Sequence, residues 1–142
     1  YQVGLEISDD ITAVSTGRMK PEEKQMLEHL PWMLWKKWIN TLSTFRYGVQ
    51  LGTAAAGTFN LNCSFHGIPC IAYSNSNTQK ILHPLTTVEL GDLDNAKHIA
   101  KKIKDEKFYK LCSETTLKRY ESYYSESKFI ENMERIFRTL VN

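Results

Sequence analysis

The hydrophobic positions of this chain alternate between strand-like and helix-like spacing, most clearly in its central third. The apolar run 47–51 predicts a buried strand, and 59–66 has the three- and four-residue spacing of a short helix. Gly67 is placed to end that helix, and 68–73 predicts a second buried strand. Together these segments predict a strand–loop–helix–strand unit.

The same alternation continues on both sides of this unit. Before it, we predict strands at 3–7 and 11–15, a helix beginning at Pro21 and continuing through Leu27 and Leu30, and an aromatic helix over 32–45. After it, we predict a helix at 78–82, a strand at 85–90, helices at 96–103 and 108–117, a break at 120–125 and a final helix at 129–141. Strands that alternate with helices predict an α/β fold, with a parallel sheet covered by helices on both faces.

Three tryptophans repeat every three residues on the predicted aromatic helix. Trp32, Trp35 and Trp38 form one stripe, which continues into aliphatic residues. Because of that continuation, we predict that the aromatic face packs on the sheet. The alternative is an exposed platform that stacks carbohydrate rings or bases.

Length, charge and cysteine content exclude some classes of protein function. A length of 142 residues fits one domain, 1–142, and a net charge of only +2 gives no basic surface for nucleic acid. Three cysteines, an odd number, indicate a reducing compartment, so we predict a cytoplasmic protein. The sequence starts at Tyr1 rather than Met, from which we expect a processed chain or part of a longer one.

Cysteine and histidine occur close together near the central helix. Cys63, His66 and Cys70 have spacing that suggests zinc, but no fourth ligand is evident nearby, so we predict no metal site. Cys63 and His66 could also be neighbours on one helix face, as in a nucleophilic pair. The sequence does not favour that pair over a buried thiol and a histidine at a helix end.

The loop and helix start at 52–62 form the best candidate site. Small residues let a ligand approach the backbone, and N–H groups at a helix start attract anions. The hydroxyls of Thr53 and Thr58 and the carboxamides of Asn60 and Asn62 could therefore hold a diphosphate and a sugar. The alternative is that this segment is only a tight, well-packed connection.

The segment 57–72, Gly-Thr-Phe-Asn-Leu-Asn-Cys-Ser-Phe-His-Gly-Ile-Pro-Cys-Ile-Ala, resembles the donor-site segment of GT-B glycosyltransferases of the group-1 kind. In that family a glycine-bearing loop precedes a helix and a Gly-x-Pro-Val-Ile strand. The flanking segment 42–51 is similar to the preceding helix end and strand. The segment 94–141, with Asp-Glu-Lys-Phe-Tyr at 105–109, is similar to the closing helices.

The resemblance implies a Rossmann-like parallel sheet sandwiched by helices, as in the C-terminal donor-binding lobe of such a hexosyltransferase-like enzyme of carbohydrate biosynthesis. Gly57, Thr58 and Phe59 would lie against the phosphates and the sugar, Asn60 would contribute to the same site, and Asn62 would face the ribose. The substrate would be a nucleoside diphosphate sugar, with no further cofactor and no metal. The N-terminal acceptor domain would be absent, so the lobe is expected to be truncated.

The chain departs from the family pattern at two acidic positions. Retaining members carry two glutamates eight positions apart, and those positions here are Ala54 and Asn62. We therefore expect no activity in isolation, and the catalytic residues are unknown. A peripheral acceptor at a membrane and a homo-oligomer formed through open sheet edges are left open as partners. The alternative function is a non-catalytic interaction module or an α/β module that binds another phosphate ligand.

Overall fold

The structure, a computed structural model, describes residues 1–14, 27–53 and 57–141. In chain order these ranges form α1 (Gln2–Leu5), β1 (Thr12–Ala13), β2 (Glu28–His29), α2 (Trp35–Leu42), β3 (Gly48–Gln50), α3 (Thr58–Phe65), β4 (Cys70–Tyr73), α4 (Asn77–Leu82), β5 (Thr87–Val88), α5 (Leu93–Lys102), α6 (Glu106–Tyr123) and α7 (Glu126–Val141). The predicted α/β class is confirmed.

The strands pair in parallel in two small sheets. One sheet has the order β3-β4-β5, with Gly48 opposite Cys70 and Ala72 opposite Thr87. The other joins β1 to β2. Parallel neighbours require a crossover connection, and α3 and α4 supply it between β3 and β4 and between β4 and β5. This arrangement is Rossmann-like, as predicted.

Helices cover both faces of the three-stranded sheet. Ile71 and Tyr73 of β4 point to one face, where they pack with residues of α1 and α5. Cys70 and Ala72 point to the other face, where they pack with residues of α2 and α3. Since side chains alternate along a strand, a continuous buried run such as β4 requires apolar cover on both sides.

Gly67 ends α3 as predicted. Its φ is +67°, and its N–H donates to the carbonyl of Ser64 at 3.0 Å, while Ile68 N–H donates to the carbonyl of Cys63 at 2.9 Å. A Cβ on Gly67 would lie 2.8 Å from the side chain of Leu117 on α6. Glycine is therefore required both by the backbone and by the close approach of α6.

The prediction for the first element is wrong. Residues 3–7 were expected to form a strand, but Gln2–Leu5 is helical and Val3 is buried against the sheet. Val3 and Ile7 are four residues apart, a spacing that fits one turn of helix as well as an alternating strand. The partly exposed Leu5 lies between them, so the four-residue spacing determines the buried face.

The second strand and the first helix were predicted only in part. The strand expected at 11–15 is present as Thr12–Ala13. The helix expected to continue through Leu27 and Leu30 is wrong there, since Glu28–His29 forms β2. Its start at Pro21 lies outside the described residues, as does the strand end at Ser15.

The predicted packing of the tryptophan stripe is wrong for two of its three members. Trp32 is 86% exposed and Trp35 is 62% exposed. Trp38 alone of the three packs against the core, with its ring centroid 6.4 Å from that of Phe59. The helix begins at Trp35, after Pro31, so Trp32 does not share its orientation.

The two closing helices are present. The predicted break is shorter than expected, because α6 continues to Tyr123 and Ser125 begins the next helix by accepting from Lys128 N–H at 3.4 Å. Several large apolar side chains form a stripe along α7. This stripe lies on the surface and consists of Phe129, Ile130, Ile136, Phe137 and Leu140. Within the described ranges no helix has the length and apolar character that a membrane crossing needs.

Candidate functional site

The carboxyl ends of β3, β4 and β5 meet at one edge of the sheet, where three loops are joined by hydrogen bonds. The Asn75 side chain donates to the carbonyl of Gly52 at 3.1 Å. The Ser74 hydroxyl donates to a carboxylate oxygen of Glu89, also at 3.1 Å. Because ligands of open parallel α/β sheets bind outside this edge, it is the best candidate region for a binding site.

Gly57 places the start of α3 at this edge. Its φ is +79°, and its carbonyl accepts from Leu61 N–H at 3.0 Å. A Cβ on Gly57 would lie 2.6 Å from the Thr78 hydroxyl and 3.0 Å from the Ser76 hydroxyl. The left-handed backbone and the contact with the start of α4 both require glycine.

The backbone N–H groups in the first turn of α3 are able to donate hydrogen bonds to an acceptor from a ligand. In the described part of the chain no side chain caps α3. The first N–H groups of a helix have no intrahelical acceptor and carry partial positive charge. Thr58 is exposed beside them. An anionic oxygen is the acceptor that suits this environment best.

The predicted site residues divide into two groups. Gly57 and Thr58 lie at the edge, whereas Phe59 packs into the core cluster with Trp38. Asn60 is fully buried, and its amide nitrogen donates to the Gln79 side chain.

Asn62 is also largely buried. With its amide oriented by its neighbours, the nitrogen donates to the Thr58 carbonyl at 3.2 Å and the oxygen accepts from Trp38 Nε1 at 2.9 Å. Contact of Asn60 or Asn62 with a ligand would require these internal bonds to be exchanged. Their role in ligand binding stays a prediction. Ala54, the other position of the family's acidic pair, lies outside the described residues.

Glu89 is an edge residue that the sequence analysis missed. It is exposed, directly follows β5 and accepts a hydrogen bond from Ser74. In dinucleotide-binding α/β folds an acidic side chain at the sheet edge accepts hydrogen bonds from ribose hydroxyls. The sequence does contain a signal for this residue, because Glu89 directly follows a short β-branched run. An acid that binds ribose is expected at such a strand end. Glu89 supplies a carboxylate at the edge, in a chain that lacks acids at Ala54 and Asn62.

A buried polar network lies behind the edge and is centred on His83. Nε2 of His83 donates to the Asn60 carbonyl at 2.9 Å. Nδ1 accepts from the Cys70 N–H at 3.3 Å and from the Thr116 hydroxyl at 3.2 Å. Gln79 joins the same network by donating to the Cys70 carbonyl at 2.8 Å. The network thus connects α3, β4, α4 and α6.

These bonds determine the protonation state of His83. One nitrogen must carry the only ring proton and the other must accept, which is the neutral imidazole. Burial lowers the pKa of His83 from 6.5 to about 4. A neutral, enclosed imidazole with three internal partners holds the fold together and does not exchange protons with a substrate.

The cysteines do not form a reactive centre. Cys63 and Cys70 are fully buried, and the hydrogen bond between their side chains, together with burial, raises the pKa of the Cys70 thiol. Burial raises the pKa of Cys112 to about 11. Since the thiolate is the nucleophile, these shifts oppose reactivity. His66 donates instead to the Ile39 carbonyl at 2.9 Å, away from any thiol pairing.

The described residues also do not assemble a set of metal ligands. Among residues 1–14, 27–53 and 57–141, no three His, Cys, Asp or Glu side chains are grouped to hold an ion.

An apolar cavity lies between α2, α3 and α6. It is lined mainly by Trp35, Ile39, Leu61, Phe65 and Tyr120 and has a volume of about 230 Å³. Ligand pockets usually have volumes of about 300–1,000 Å³. The cavity is therefore small for a nucleotide or a disaccharide, although the exposed face of Trp35 remains open for stacking.

The geometry favours the carboxyl edge, where a helix start without a side-chain cap, hydroxyl groups and one carboxylate come together. The thiols of Cys70 and Cys112 are not activated, and the imidazole of His83 is enclosed. Comparisons with protein-family models, with curated proteins and with solved structures found no match to this chain.

Proposed function

We propose that the carboxyl edge of the three-stranded sheet binds the diphosphate of a nucleotide sugar, and that the chain is the donor-binding lobe of a cytoplasmic glycosyltransferase. The observation that carries the proposal is the start of α3, which is held at this edge by Gly57 and has no side-chain cap. The resemblance of 57–72 to a donor-site segment supports the nucleotide sugar over other anions.

In this proposal the backbone binds the phosphates and the side chains select the rest of the ligand. The N–H groups of Thr58 and Phe59 donate to the diphosphate, and the partial charge of the α3 start favours its negative charge. The Thr58 hydroxyl is exposed beside it, while Glu89 accepts from ribose hydroxyls. The same donors stabilise the diphosphate when it leaves, without a metal.

Calorimetric titration tests the site. UDP, ADP and GDP are titrated into the chain, and we expect at least one to bind more tightly than pyrophosphate. Glu89→Gln should weaken nucleoside diphosphate binding by about tenfold, because a hydrogen bond to a charged group contributes about 1.5 kcal/mol or more. The same variant should leave pyrophosphate binding unchanged. Glu114→Gln on α6 is the matched control, since Glu114 is also exposed and forms a surface ion pair with Lys110.

The outcomes separate the donor lobe from its alternative. Equal affinity for pyrophosphate and for every nucleoside diphosphate would favour a module for another phosphate ligand. Absence of any binding at millimolar concentration would contradict the donor-lobe function. If the two glutamine variants changed nucleoside diphosphate binding equally, Glu89 would not be part of the site.

We expect the 142 residues alone to transfer no sugar, because the resemblance places the acceptor on a second lobe. A coupled assay that detects released nucleoside diphosphate, supplied with nucleotide sugars and simple sugar acceptors, measures this. Turnover that scales with the concentration of the chain and is lost on heat denaturation would show that the expectation is wrong.

A further inference from the structure

The cavity between α2, α3 and α6 receives one aromatic side chain from each helix. Trp35 lies on α2, Phe65 on α3 and Tyr120 on α6. The rings of Phe65 and Tyr120 meet edge to face, with centroids 5.6 Å apart and planes 77° apart, so they form a corner. Trp35 is 62% exposed and Phe65 is 49% exposed. The cavity is therefore a partly open aromatic site and not a filled part of the core.

The size and the polarity of the cavity limit its occupant. Its volume is about 230 Å³. A water molecule takes about 30 Å³ in the liquid, so the cavity has room for roughly seven non-hydrogen atoms at that density. The amide of Asn62 in its lining already donates to the Thr58 carbonyl and accepts from Trp38 Nε1. An occupant with many hydroxyl groups, such as a sugar, would therefore lose hydrogen bonds to water without finding new partners in the described lining.

The charges beside the cavity favour a positive occupant. Burial raises the pKa of the Tyr120 phenol, and the nearby carboxylates of Glu121 and Glu126 raise it further. Both glutamates are exposed. The described lining itself contains no lysine and no arginine. The potential at the Tyr120 side of the cavity is therefore negative.

The basic residues close in sequence to the three rings do not line the cavity. Lys36 and Lys37 of α2 line a separate opening. His66 Nε2 donates to the Ile39 carbonyl at 2.9 Å, and the Arg119 guanidinium donates to the Ile81 carbonyl at 3.0 Å. These groups leave the space between the rings to a cation from outside the chain.

We propose that this cavity binds a small organic cation with an apolar surface, of the quaternary ammonium class. The faces of aromatic rings attract such a cation through their π-electrons, and tryptophan does so most strongly. A quaternary ammonium group has no N–H bonds, so it needs no hydrogen-bond acceptors from apolar walls. The proposal uses neither Gly57, Thr58 nor Glu89, so it does not depend on the proposed donor site.

Saturation-transfer NMR of the full chain with choline tests the site. The comparison ligand is dimethylbutanol, the neutral isostere of choline in which a carbon atom replaces the ammonium nitrogen. We expect choline to have a Kd at least about fivefold lower than that of dimethylbutanol, because the two have the same shape and only choline has the charge.

Substitution of the rings tests the location. Trp35→Ala should raise the Kd of choline at least about fivefold, whereas the matched control Trp32→Ala should leave it within about twofold, because Trp32 is exposed outside the cavity. Tyr120→Leu keeps an apolar wall but removes a ring. It should weaken the binding of choline and not that of dimethylbutanol. Circular dichroism verifies that the three variants keep their helices.

Each contrary outcome overturns the proposal in a different way. Equal Kd values for choline and dimethylbutanol would show that the cavity does not recognise the charge. Tighter binding of methyl glucoside than of choline would make the rings a carbohydrate platform. Equal effects of Trp32→Ala and Trp35→Ala would place the binding elsewhere, and absence of saturation transfer to choline at millimolar concentrations would show that there is no site.

Discussion

Replacing His83 with leucine is expected to lower the free energy of unfolding by about 3 to 5 kcal/mol, since each buried polar group left without a partner costs about 1–3 kcal/mol. The substitution leaves the Cys70 N–H, the Thr116 hydroxyl and the Asn60 carbonyl without their present partner. Leucine has a similar volume, so the loss comes mainly from hydrogen bonds rather than from a cavity. Urea denaturation at pH 7 measures the change.

The control for this experiment is His98→Leu. His98 is exposed on α5, and the same chemical change there should alter stability by no more than about 0.5 kcal/mol. Adding Thr116→Val to His83→Leu tests the mechanism, because Thr116 then no longer leaves a hydroxyl without its acceptor. The double variant should lose less than the sum of the single losses. Additive losses, or a His83→Leu loss below about 1 kcal/mol, would contradict the network.

Acidification from pH 7 to pH 4 is expected to remove about 3 kcal/mol of stability through His83 alone, because the pKa difference between 6.5 and about 4 converts to that free energy. The folded-state pKa is below the unfolded one, so between these pH values the unfolded chain binds more protons. The contribution is fully present above pH 6.5 and is lost as the pH falls through about 4.

His83→Gln separates this contribution from that of the carboxylates. Glutamine can keep part of the hydrogen bonding but does not titrate. Urea denaturation from pH 7 to pH 4 should therefore show a smaller pH-dependent loss in the variant, by about 3 kcal/mol. An identical pH dependence in the two proteins would assign the acid sensitivity to other groups.

The central elements of the fold were predictable because their signals are local and agree with one another. The strand at 47–51, the helix that follows and the stop at Gly67 each have a distinct chemical cause. Asp92 and Asp105 cap α5 and α6 by accepting from Asn95 N–H and Phe108 N–H. Short-range patterns of this kind need no knowledge of the tertiary structure.

Errors arose where tertiary contacts choose between two allowed patterns. Val3 and Ile7 fit either a strand or a helical turn, and packing against α5 selects the helix. Trp32 and Trp35 have helical spacing, but spacing alone does not show which face has a partner. The stripe of α7 was likewise predicted as a helix, without an indication that the described residues would leave it uncovered.

The site was predictable in its backbone and less so in its side chains. Gly57 and Thr58 lie where the strand–loop–helix pattern predicts. The orientation of Asn60 was not predictable, because its neighbour Gln79 comes from a helix nineteen residues later. Glu89 was missed for a related reason, since its place at the edge depends on β5 pairing beside β4. Strand order, which the sequence pattern leaves open, decides which loops share a site.

The contact between α1 and α5 has a consequence for the order of folding. The elements from β3 to α5 follow one another along the chain, so each crossover closes a short loop. Val3 instead joins a cluster with Ala96, Ile99 and Ala100, more than ninety residues away. Contacts between residues this far apart form late, because closing the loop lowers the conformational entropy of the chain before the contacts that offset this cost have formed. The amino-terminal segment is therefore expected to dock last, onto an α/β unit that has already folded. Its detachment is expected to be the first step of unfolding.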